Sequence, residues 1–318
     1  MKRFKNILLV HGQGASVNAT MKRAVSLAKR NRAQLTVLEV TEELPREIRM
    51  LSAVMSPQEI EGRVIKEQRE HLERFIAPFR EEGIGVNINI LTGTAFIKII
   101  QEVLRKKHDL VFMTAEGKGG LKSRLFGSTS LHLMRKCPCP VWVMKPMRRK
   151  RHTRILAAVD PDTSDDKRNA LNILIMDLAT SLAKLEQSEL HVVHVWSPWG
   201  KHIIRSHLDG QISKEELRQL TQEILAQHKK QFNEFIDNCS LEGLTYHVHF
   251  MIGEAKTIIP EVASNQQVDL IVMGTVCRTG LPGFFIGNTA ENVLQQVDCS
   301  VLTVKPEGFV SPVKPEDA

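Results

Sequence analysis

The chain has 318 residues, 42% of them hydrophobic and 25% charged, an ordinary globular composition that excludes a collagen-like or low-complexity chain. No apolar run approaches the roughly 20 residues that a membrane-spanning helix needs. The net charge of +7 conceals an asymmetry: residues 1–150 carry 28 Lys/Arg against 14 Asp/Glu, and residues 151–318 carry 15 against 22, so the halves stand at about +14 and −7.

A length of 318 residues predicts two domains of about 150 residues, each able to bury its own core. The basic residues of the first half are scattered, and no aromatic residues interleave with them as a stacking platform would require, so nucleic acid is not an expected partner. The excess can instead meet the acidic half of the same chain. The five cysteines (Cys137, Cys139, Cys239, Cys277, Cys299) form no C-x-x-C pair. They are expected to be reduced thiols in a cytoplasmic protein.

Taken in chain order, the first segment, MKRFKNILLVHGQG, has the basic start and apolar run of a leader, but NILLV is only a strand long and no A-x-A-like site follows. It is read as a first strand. Further short apolar runs follow: LTVLEV (35–40), VNINIL (86–91), LVFM (110–113) and VWVM (141–144), with helical patterns between them. Ser56-Pro57-Gln58-Glu59 forms a capping box that opens a long amphipathic helix. The basic stretch KPMRRKRHTR (145–154) reads as a solvated linker, with boundaries at 148–152 between domains 1–147 and 153–318. The second half then repeats the order with ILAAV, LHVVHV, YHVHFM, LIVM and VLTV, and Ser213-Lys214-Glu215-Glu216 supplies the equivalent capping box. Runs this short, rich in Val, Ile and Leu and separated by helices, predict buried parallel strands. The expected architecture is α/β, a five-stranded parallel sheet flanked by helices, formed twice.

The duplication can be read residue by residue. Residues 93–146 align without a gap on 253–306 at an offset of 160, with 14 of 54 positions identical. Among them are Gly93/Gly253, Asp109/Asp269, Gly127/Gly287, Thr129/Thr289 and Lys145-Pro146/Lys305-Pro306. Residues 24–40 align on 179–195 at an offset of 155, and Ile7-Leu8 on Ile155-Leu156 at an offset of 148. The offset changes where loops and helix ends can absorb insertions.

In an open parallel sheet, ligands bind at the carboxyl ends of the strands where the strand order reverses, and anions favour helix N-termini there. The segment after the fourth strand of the second half is GTVCRTGLPGFFIGNTAENV (274–293): Gly274 ends the strand, and Gly287-Asn288-Thr289 opens the last helix. This segment resembles the nucleotide-binding loop of the universal stress proteins, G-x2-G-x9-G-[S/T], which is accompanied in that family by an Asp ending the first strand. Asp160, Gly274 and Gly287 match; Cys277 replaces the second Gly and Asn288 the Ser/Thr. The stretches GTVCRTG, IGNTAENV and RKCPCPVWVMKP are similar to the E-type tandem members, and the resemblance covers nearly the whole chain. The first half keeps Gly117, Gly127 and Ser128, but Thr114 replaces the first Gly and Gly12 stands at the position of Asp160.

The resemblance implies two tandem adenine-nucleotide α-hydrolase-like domains in a stress-response regulator that binds an ATP-like nucleotide, with Mg²⁺ able to accompany it. The second half is the expected site: Asp160 for the ribose hydroxyls, Val195 offering backbone to adenine, Gly274, Cys277 and Arg278 along the phosphate path, and Gly287, Asn288 and Thr289 at the helix start. Asn288 has a second reading as a simple helix cap. The basic loop of the first half, with Lys118, Lys122 and Arg124, suits another small anionic ligand. Nothing marks a fast enzyme, because no base or carboxylate cluster beyond Asp160 is evident. The alternative is a ligand-binding or adaptor protein with degenerate pockets. In this family the last strands of two domains pair, so 140–146 and 300–306 are expected to make an intramolecular pseudo-dimer, with a homodimer left open and no membrane partner.

Other signatures fail or stay open. Gly12-Gln13-Gly14 before Val17 lacks the third glycine of a dinucleotide fingerprint, and Lys122-Ser123 lacks the rest of a P-loop. His247 and His249 share one face of a strand and could join His191 around zinc. Exposed histidines on an edge strand explain them equally well, and no metal ligand is assigned.

Overall fold

The computed structural model describes residues 4–12, 17–45, 56–115, 126–146, 152–162, 165–197, 213–275 and 287–315. The chain forms two compact units, one built on Met1–Pro146 together with Val310–Ala318, the other on Met147–Gly280 and Phe285–Phe309.

The first unit runs β1 (Asn6–Val10), α1 (Val17–Asn31), β2 (Gln34–Thr41), α2 (Pro57–Glu81), β3 (Val86–Thr92), α3 (Ala95–Lys106), β4 (Leu110–Thr114), α4 (Ser128–Lys136) and β5 (Val141–Met144). Its strands lie in the order β3-β2-β1-β4-β5, all parallel. The second unit repeats this with β6 (Arg154–Ala158), α5 (Asp166–Glu186), β7 (Glu189–Trp196), α6 (Lys214–Asp237), β8 (Tyr246–Ile252), α7 (Ala255–Asn265), β9 (Leu270–Gly274), α8 (Asn288–Gln296) and β10 (Ser300–Val304). Its order is β10-β9-β6-β7-β8, again parallel throughout. All ten strands coincide with the apolar runs to within one residue at either end.

The central strands are buried on both faces. Ile7, Leu8 and Leu9 are at most 2% exposed, and Ile155, Leu156 and Ala157 are fully buried, which explains runs that are apolar at every position rather than at alternate ones. Both capping boxes form as expected. Ser56 accepts from the Glu59 amide while Glu59 accepts from the Ser56 amide, and Ser213 with Glu216 does the same.

Two repeated residues are explained by the fold. Asp109 accepts from the amides of Lys5 and Asn6, and Asp269 from the amides of Thr153 and Arg154, so each ties the start of the fourth strand to the start of the first. Gly93 and Gly253 adopt φ of +135° and +145°, a region that side chains disfavour, and their amides donate to Thr41 and Trp196 at 2.9 Å. The turn out of the third strand thus requires glycine in both copies. Among the described residues no helix is long and apolar enough to cross a membrane.

Candidate functional site

In each unit the chain adds strands outward from the first strand in one direction and then returns to its other side, so the order reverses between first and fourth strands. In the second unit this places the carboxyl ends of β6 and β9 side by side. Ala158 pairs with Met273, so Asp160 leaves the sheet two residues beyond, next to Gly274 at the end of β9. Helix α8 returns to the same point, because the Gly287 amide donates to the Thr275 carbonyl at 3.1 Å. Hydrogen bonding and register thus bring Asp160, Gly274 and the start of α8 to one end of one sheet.

Asp160 is held by α5. Its amide donates to Asn172 Oδ1 and its carbonyl accepts from Asn172 Nδ2, both at 2.9 Å, and Asn172 is only 3% exposed. The next turn of chain is fixed in the same way. Asp162 N donates to Asn169 Oδ1, Arg168 pairs with Asp162, and Asp165 caps α5 by accepting from Arg168 N. With its backbone anchored, Asp160 keeps a carboxylate that is 38% exposed.

His194 on β7 faces that carboxylate, a relationship the sequence did not reveal. Its Nδ1 lies 3.2 Å from the Val159 carbonyl and 3.8 Å from Asp160 Oδ1, and its ring packs on Phe232 of α6 and Phe250 of β8. The available signal was the repeat itself, because His194 aligns with Glu39 at an offset of 155. The first unit also has a histidine–carboxylate pair, with the acid now on the second strand: His11, one residue beyond β1 and at the position of Val159, lies 3.5 Å from Glu39 Oε2 on β2 and packs on His71 and Phe75 of α2. His228 and Phe232 correspond to His71 and Phe75 at an offset of 157.

Two sequence assignments change in detail. At Gly274, expected to admit a ligand, a Cβ would also lie 2.9 Å from Leu171 Cδ2, so packing against α5 favours glycine there as well. Asn288 is not the cap of α8. That position belongs to Gly287, and Asn288 and Thr289 are the first two helical residues, both exposed, with no side-chain cap bond at the helix start. Val195 is buried and penultimate in β7, paired with Met251, and Trp196 ends the strand. Cys277 and Arg278, like Gly117, Lys118, Lys122 and Arg124, lie outside the described residues. In the first unit a Cβ on Gly12 would meet nothing within 4 Å, and Thr114 donates to Thr20 Oγ1 at 3.2 Å.

The histidines of β7 and β8 also depart from expectation. His247 is exposed, but His191 is only 3% exposed, because β7 is covered on the face that His191 shares with Val193. Burial, with His249 and His247 close by, lowers the His191 pKa to about 4.

The universal stress protein family model matches residues 3–145 and 152–305. The chain is similar along its whole length to universal stress protein E of Escherichia coli (strain K12), with 29% identity over 328 residues covering 100% of this chain and 99% of that protein. It is similar to the protein of that name in Photorhabdus laumondii as well, with 26% identity over 99% of both. Among solved structures, a protein of unknown function from Pseudomonas aeruginosa PAO1 matches with TM-score 0.73 and 25% identity, covering 97% of this chain and 95% of that one. A universal stress protein from Archaeoglobus fulgidus DSM 4304 matches with TM-score 0.62 at 18% identity over 96% and 98%, which speaks for the fold.

Proposed function

Since the chain belongs to the universal stress protein family, whose name carries a role in stress response, we propose that its second unit serves that role by binding an adenine nucleotide such as ATP. The observation that supports this most directly is the Asp160 carboxylate, fixed through its backbone by Asn172 at the switch point and still 38% exposed. A carboxylate in that position can accept the hydrogens of two ribose hydroxyls. The first-turn amides of α8, without a side-chain cap, suit phosphate oxygens, and the helix dipole adds to that preference. Mg²⁺ would enter with the phosphates rather than on a carboxylate cluster of its own.

The first unit lacks the acceptor, because Gly12 stands where Asp160 does. ATP should therefore bind the second unit more tightly. Losing a hydrogen-bond partner of a charged group costs about 1.5–3 kcal/mol, or roughly 10- to 150-fold in affinity. Calorimetric titration of ATP into the wild type, Asp160→Ala and Gly12→Ala tests this. Weakening by Asp160→Ala alone is expected. Equal affinity in wild type and Asp160→Ala, or no binding by wild type at millimolar ATP, would overturn the reading and favour an adaptor with degenerate pockets.

A further inference from the structure

A second constellation lies at the opposite end of the same unit, at the amino ends of β7 and β8. Glu189 and His191 are two residues apart on β7 and so share a face, and His247 is the register partner of His191 on β8. One ligand atom from each of these three side chains lies within 4.8 Å of the other two, close enough for a single ion to touch all three. We propose that Glu189, His191 and His247 bind a zinc-class divalent cation, with His249 as the group that orients His191.

Three features carry the proposal. The first is an orphaned atom: His191 is 97% buried, yet its Nε2 has no hydrogen-bond partner and lies 3.9 Å from Glu189 Oε2. A buried nitrogen of that kind normally finds a partner, and the energetic cost of leaving it bare is offset when a cation takes its lone pair. The second is the orientation of the ring. His191 Nδ1 lies 3.0 Å from His249 Nε2, a hydrogen bond that, with Nδ1–H as donor, leaves the Nε2 lone pair unprotonated for a metal. Histidine ligands are held in this way by a partner on the other ring nitrogen. The third is the donor set. Two imidazoles and one carboxylate suit zinc and fill three of four tetrahedral positions, leaving one for water.

The surroundings are compatible with a dication. Arg154 Nε donates to Glu189 Oε2 at 3.1 Å, and a carboxylate has lone pairs on two oxygens, so Glu189 can serve both. His247 and the Glu189 side chain, 43% exposed, give the ion a route from solvent.

The test uses the full-length, untagged chain stripped with chelator and titrated with zinc against a chromogenic zinc indicator, with melting temperature recorded in parallel. One zinc per chain and a zinc-dependent rise in melting temperature are expected. His247→Gln, at an exposed position that leaves the core intact, should weaken zinc binding at least ~10-fold and abolish the thermal shift; His249→Gln should weaken it ~10- to 100-fold. His191→Asn should behave like His247→Gln, and if it fails to fold the His247 variant decides alone. No zinc bound at 0.1 mM, or unchanged stoichiometry and affinity in His247→Gln, would overturn the assignment.

Discussion

His194 lies 3.8 Å from the Asp160 carboxylate, and His11 lies 3.5 Å from the Glu39 carboxylate at the corresponding place in the first unit. In the second unit the acid follows the first strand and the histidine sits on the second; in the first unit Glu39 takes the histidine's place on the second strand, and its partner His11 stands one residue before Gly12, the position of Asp160. Both pairs are backed by a phenylalanine from the long helix, Phe232 or Phe75. The difference matters because an acid on the second strand, turned toward a histidine, is not a substitute for one projecting from the end of the first. Placing an acid back at the end of β1 should restore the missing acceptor. A Cβ at Gly12 meets nothing within 4 Å, so Gly12→Asp is sterically tolerated. It is expected to raise ATP affinity of the first unit, read by calorimetry as binding restored to the Asp160→Ala protein in the double variant.

Asn172 anchors the loop that carries Asp160, and its two reciprocal bonds are buried. Asn172→Leu would leave the Asp160 amide and carbonyl without these partners. A loss of about 2–4 kcal/mol is expected from two unmade buried bonds. Chemical denaturation should show it as a lower midpoint, together with weaker ATP binding, because the carboxylate loses its fixed backbone. Unchanged stability would mean that water replaces the amide fully.

Glu291 stands in the first turn of α8, where the amides are proposed to face phosphate. A like charge there opposes an anion, while as a helix residue it interacts favourably with the dipole. Glu291→Gln should therefore tighten ATP binding by a few-fold at low salt and lower stability by about 0.3–1 kcal/mol. The affinity gain should fade as salt is raised, which a titration series at increasing ionic strength would reveal.

Gly253 has φ of +145°, and a Cβ there would come within 2.8 Å of Ile258 Cδ1. Gly253→Ala is expected to destabilise the second unit by about 1–3 kcal/mol through backbone strain and this contact. At Gly93 the atom met at 2.8 Å is Lys98 Cε, near the end of a flexible chain, so Gly93→Ala should cost less than Gly253→Ala. Comparison of the two denaturation midpoints checks the order.

Glu102 on α3 is almost fully buried. Burial alone would raise its pKa, but His108, 4.0 Å away, Arg105 of the same helix and Asn89 of β3 overcome this and hold it at about 2. A carboxyl whose folded pKa lies below its unfolded value stabilises the fold above the unfolded value, near 4.5, and that stabilisation is lost as pH falls through the folded one. Stability should thus decline between about pH 4.5 and pH 2, and Glu102→Gln should flatten that part of the profile. Circular-dichroism melting across this range would measure it.

The sequence by itself determined the order and type of the described elements, the duplication and the long-helix caps, because these depend on local rules: apolar runs of strand length, and Ser and Glu three residues apart. The repeat also placed Gly287 on the position of Gly127 and Gly274 on that of Thr114 at the offset of 160, and Asp160 on that of Gly12 at the offset of 148, just after the first strand. Partners across strands were another matter. Which side chain faces Asp160 depends on β6 lying between β7 and β9, on a register fixed by the whole sheet, and on α6 covering one face of β7. That topology brings His194 to the carboxylate, and residues 34 positions apart give no local sign of it. The same holds for His191: alternation along LHVVHV says that it faces away from His194, but only the packing over that face decides that it is buried beside Glu189, His247 and His249, rather than exposed on an edge.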